Sequence, residues 1–81
     1  MKIKVENSER GLIVNGSSIV KAEREGDLYA VKVQKYNEKI VPKAKSRTVT
    51  AMLTKDAAEK LAVEIMDAYR RGDKVFYVKE V

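Results

Sequence analysis

At 81 residues, 44% hydrophobic and 36% charged, the chain has the make-up of one globular domain (1–81) with no room for a second core. It contains no cysteine and no histidine, which excludes disulfides, thiolate metal sites, the usual general base and the commonest metal ligand. Its 17 basic and 12 acidic residues leave a net charge of +5, which points toward a negatively charged partner.

Met1, Ile3 and Val5 alternate with Lys2 and Lys4, the period of a strand with one solvated face. The polar cluster Asn7–Gly11 ends it. Leu12-Ile13-Val14 then runs into Asn15-Gly16, a strong signal for a two-residue type I′ hairpin that would pair Val14 with Ser17 and Leu12 with Ile19. The return strand runs to about Arg24, and Glu25-Gly26-Asp27 turns the chain into a long strand, Leu28 to Tyr36. On that strand Tyr29, Val31 and Val33 share one face, opposite the more polar Ala30, Lys32, Gln34 and Tyr36. After a turn at Asn37-Glu38-Lys39, Ile40-Val41 could begin a further strand, and Pro42 suits an edge or bend. Arg47 to Leu53 reads as a strand with Val49, Ala51 and Leu53 on one side.

Thr54 is placed to cap a helix over residues 55–71, whose Ala58, Leu61, Ala62, Ile65, Met66 and Tyr69 recur at helical spacing. Asp56–Lys60 and Asp67–Arg71 are spaced as i,i+4 pairs, and Gly72 stands where a helix ends. Lys74 to Val81 forms a last strand. The expected fold is α+β: an antiparallel sheet of about five to six strands, one amphipathic helix on one face, and a final strand after the helix.

The positive charge is concentrated. Lys32, Lys35, Lys39, Lys43, Lys45 and Arg47 face only Glu38 between residues 32 and 47; outside that segment, eleven basic residues balance eleven acidic ones. With Tyr36 among them as a stacking ring, these residues form a candidate nucleic-acid-binding surface, and their bland alternative is a solvated loop with lysines guarding a strand edge. Lysine is a point charge rather than a bidentate reader, so little sequence specificity is expected. Tyr29, Tyr69 and Tyr77 are read as packing residues, and Arg70, Arg71 and Lys74 as complements to the helix C-terminus. Glu23, Glu25 and Asp27 lie beside Lys21 and Arg24 as solvated charges. Ser17, Ser18 and Ser46 have no neighbouring base to activate them, so the chain is not expected to be an enzyme or to need a cofactor or metal.

Strand Leu28–Tyr36, the turn Asn37-Glu38-Lys39, the stretch Val41-Pro42-Lys43, strand Thr48–Leu53 and the capped helix from Thr54 resemble the positive-cofactor-four type of single-stranded-DNA-binding transcriptional coactivators. The resemblance covers about half of the chain. It implies a curved antiparallel sheet before one helix, a homodimer, and Lys32, Tyr36, Lys43, Lys45 and Arg47 facing unpaired DNA. The chain departs from that family at Tyr36-Asn37 and Lys45-Ser46-Arg47, where the family has a tryptophan-bearing strand end and a glycine-lysine-glycine, and in the strand after its helix.

The leading expectation is a small single-stranded-nucleic-acid-binding protein. The alternatives are a protein-interaction domain, for instance a viral or mobile-element protein that modulates a host factor, and a self-assembling structural protein. No apolar run approaches the ~20 residues that span a bilayer, and the N-terminal stretch lacks the apolar centre of a secretory signal, so a cytoplasmic protein without membrane partners is expected.

Overall fold

The computed structural model describes residues 1–6, 8, 11–35 and 46–79. Among these residues, six strands and one helix follow in the order β1 (Lys2–Val5), β2 (Leu12–Ile13), β3 (Ser18–Glu25), β4 (Leu28–Lys35), β5 (Ser46–Leu53), α1 (Lys55–Arg70) and β6 (Val75–Val78). The class is the expected α+β with its final strand after the helix. The strands divide into two three-stranded sheets: sheet A, ordered β2-β1-β6, and sheet B, ordered β3-β4-β5. The expected strand at Ile40-Val41 lies outside the described residues.

Sheet B is an antiparallel meander. β3 and β4 pair over their full lengths, from Ser18 opposite Lys35 to Glu25 opposite Leu28, around a turn at Gly26-Asp27. Gly26 has φ +66° and Asp27 does not share the left-handed region, the pattern of a type II′ turn whose first central position favours glycine. β5 departs from simple alternation. Its pairing with β4 shifts register twice, between Tyr29 and Val31 and between Val31 and Lys32. Each shift adds a residue to β5, so Val49 and Leu53 are buried while Ala51, expected beside them, is exposed. Met52 within the distorted stretch takes φ +62°, a conformation that crowds any Cβ.

Sheet A forms by a route that local signals do not reveal. β1 pairs antiparallel with β2 and parallel with β6, in the register Lys2–Val75, Ile3–Phe76, Lys4–Tyr77, Val5–Val78. The expected Leu12–Ile19 hairpin does not form. Neither Asn15 nor Gly16 adopts positive φ. Instead the Asn15 carboxamide oxygen accepts from the Ser17 N–H at 2.8 Å and its carbonyl accepts from the Ser18 N–H at 3.0 Å. This side-chain-supported turn hands the chain from one sheet to the other. Val14 donates its N–H to the Met1 carbonyl at 2.8 Å, so the stretch before the turn is already engaged by the first strand.

α1 begins as expected at Thr54, whose hydroxyl accepts from the Ala57 N–H at 3.2 Å. It ends in a Schellman closure: Asp73 N–H donates to the Ala68 carbonyl and Gly72 N–H to the Tyr69 carbonyl, both at 3.0 Å, with Gly72 at φ +85°. At this end Arg71 donates to Asp73 at 2.7 Å and Arg70 pairs with Asp67 at 3.6 Å, in place of the expected Asp67–Arg71 pair. The helix lies across β3 and β4, and its small buried residues Ala58, Ala62 and Ala68 allow close approach. One apolar cluster joins Ile3, Val5, Leu12, Val14 and Val78 to Val31, Val33, Val49 and Leu53 of sheet B and to Ala58, Ala62 and Ile65 of α1.

Ile65 is wholly buried where these layers meet, so Ile65→Ala is expected to cost about 2–5 kcal/mol in urea denaturation. Val63→Ala, at a position 58% exposed on the same helix, should stay within about 0.5 kcal/mol of wild type. Met52 is 79% exposed, so Met52→Gly relieves its backbone without emptying the core and should raise stability by about 0.5–1 kcal/mol in the same assay.

Candidate nucleic-acid interface

Strand alternation decides where the sequence-predicted basic residues point. Lys32 is paired with Lys21 on one side and Thr48 on the other, whereas Arg47 is paired with Val33. Adjacent residues of a strand face opposite sides of the sheet, so Lys32 and Arg47 project from opposite faces of sheet B. The structure does not bring these two together. Lys35 closes β4 opposite Ser18. Tyr36, Lys39, Lys43 and Lys45 lie outside the described residues.

The face of sheet B that carries Lys32 is turned away from the core and is charge-balanced. Lys32 Nζ lies 3.3 Å from Glu25 and 3.5 Å from Glu23, and Lys21 lies 3.9 Å from Glu23. Two lysines against two glutamates leave no excess charge to attract a polyanion. The Lys32 side chain is only 18% exposed. Its hydrogen bond to Glu25, reinforced by the charges of Glu23 and Glu25, raises its pKa above 10.5 although partial burial opposes this.

Sheet A presents a different surface. Burial of Ile3, Val5 and Val78 on its inner side obliges the alternating residues Lys2, Lys4 and Tyr77 to face outward. Tyr77 stands opposite Lys4 and is 73% exposed, and Ile13 extends the same face from β2. Lys79 follows at the strand end. An open groove of about 650 Å³ runs here, lined among others by Lys2, Lys4, Glu6, Gly11, Tyr77 and Lys79. Among the described residues, three ammonium groups face one carboxylate here and none of these three lysines forms an ion pair. The packing role that the sequence suggests for Tyr77 is not the one it takes. The period-two pattern of the last strand could not reveal that its outward side is left uncovered, because β1, its partner, lies at the far end of the sequence.

A second groove, of about 420 Å³, is lined by Gly11 and Leu12 at β2 and by Ser46, Arg47 and Thr48 of β5. Arg47 is exposed and, among the described residues, makes no ion pair. Among the described residues, no group of three or more His, Cys, Asp or Glu side chains could hold a metal ion, and no helix is long and apolar enough to cross a membrane. No protein-family model matches the chain, and no curated protein or solved structure matches it.

The raised Lys32 pKa has a defined consequence. The stabilisation from its pairing is fully present below pH 10.5 and is lost as the pH rises through the higher folded-state value. Glu25→Gln should move the Lys32 titration midpoint down toward 10.5, read by NMR of the lysine side-chain carbons. An unchanged midpoint would show that Glu25 does not hold the ammonium.

Proposed function

We propose that the protein is a small non-enzymatic nucleic-acid-binding protein that takes single strands with little sequence specificity. The observation that carries this reading is the outward-facing Tyr77 beside Lys4, flanked by Lys2 and Lys79 over an open groove. A solvated aromatic ring is a platform for an unpaired base, worth about 1–3 kcal/mol per base. The three ammonium groups are suited to phosphates, and as point charges they follow the backbone without reading base edges. The lysine-rich segment supports the same ligand class: Arg47, Lys35, Tyr36, Lys39, Lys43 and Lys45 remain candidates for it, while Lys32 is occupied by its own carboxylates. The sequence resemblance carried by strand Leu28–Tyr36, the stretch Val41-Pro42-Lys43, strand Thr48–Leu53 and the capped helix from Thr54 points to single-stranded DNA as well.

Fluorescence anisotropy with a labelled oligothymidylate tests the proposal. Tyr77→Ala should weaken binding by about 5- to 100-fold, with an unchanged circular-dichroism spectrum because the side chain is exposed. Converting Lys2, Lys4 and Lys79 to glutamine should flatten the dependence of log K on log salt by about 2, near 0.7 for each phosphate no longer neutralised. Equal affinity for single strand and duplex, or indifference to both sets of substitutions, would refute it.

A second reading, a protein-interaction domain, is favoured by the position of β6 at the edge of sheet A, where a partner strand could add. A stoichiometric protein partner that survives nuclease and high salt would select it.

A further inference from the structure

We infer that the bound strand does not stop at the Tyr77 face but continues past Gly11 to Arg47, so that one single-stranded nucleic acid spans both sheets. This rests on the nucleic-acid reading above and extends it to a path. The two grooves, over sheet A and beside β5, share Gly11 as a lining residue. The glycine there is not demanded by the backbone, since its φ lies outside the left-handed region, and a Cβ would meet nothing within 4 Å. With no side chain there, Gly11 puts nothing into the edge that the two grooves share.

Charge complementarity selects the occupant. Among the described residues, one end holds Lys2, Lys4 and Lys79 against Glu6, and the other holds Arg47 with no acidic partner. Arg47 belongs to this path because its pairing with Val33 turns it to the side of sheet B where β2 lies. Lys32, one strand away, is excluded from it by the same alternation. The exposed Arg47 guanidinium is suited to a phosphate, through donors in a fixed fork.

The test compares oligothymidylates of about 4 and about 12 nucleotides, the range that separates one face from a longer track. Wild-type protein should bind the longer oligonucleotide at least ~10-fold more tightly. Arg47→Gln should weaken the longer one by about 3- to 10-fold, reduce its salt slope by about 0.7, and weaken the shorter one less than the longer. Gly11→Trp, at a position where a Cβ meets nothing within 4 Å, should weaken the longer one to a similar extent. If both variants bind the longer oligonucleotide as wild type does while Tyr77→Ala weakens it, the path is overturned and the Tyr77 site stands. If Tyr77→Ala also has no effect, the nucleic-acid reading fails and the path with it.

Discussion

The parallel pairing of β1 with β6 is the constraint on which the rest of the molecule depends. Parallel neighbours need a long crossover between them, and here that crossover is nearly the whole chain: β2, sheet B and α1 all lie between the two strands. Closing it places Ile3, Val5 and Val78 against the valines of β4 and β5 and against Ile65 of α1. The same closure aligns Lys2 and Lys4 with Tyr77 on the outside. Core and candidate surface are therefore two sides of one register. A slip of a single residue in β6 would turn Tyr77 inward and Val78 out.

Charge clustered in sequence need not remain clustered in space. The segment from Lys32 to Arg47 holds the entire excess of positive charge, yet its two ends, at Lys32 and Arg47, face opposite sides of sheet B. Lys32 reaches Glu23 and Glu25 because both stand on its own face of antiparallel β3, two and four residues beyond Lys21, which lies directly across. Lys2, Lys4 and Lys79, unremarkable in sequence, become a group when the two ends of the fold meet. A surface with one aromatic ring, several lysines and few hydrogen-bonding forks is suited to a flexible polyanion better than to a duplex read base by base.

Where expectation and structure differ, the competing interaction can be named. The Asn15-Gly16 signal does not yield a hairpin because the asparagine side chain builds its own turn and because β2 is claimed by β1 rather than by β3. Alternation alone would place Ala51 in the core beside Val49 and Leu53, but two added residues in β5 turn it out. The apolar neighbours Val75, Phe76 and Val78 make Tyr77 read as a packing residue in the sequence. Only the lack of a layer over that side of sheet A, among the described residues, makes it a surface residue.

The helix Lys55–Arg70, its Thr54 cap and its buried stripe except Ala68 were legible in the sequence, as were the Gly26 turn and the inward face of β4. Each of these depends on interactions that reach no further than a few residues or one strand pair. The split into two sheets, the β1–β6 register, the bulges of β5 and the sides on which Lys32, Arg47 and Tyr77 emerge were decided by tertiary structure. They depend on which distant strand supplies the hydrogen bonds and on which face the shared core covers, and neither is encoded in local periodicity.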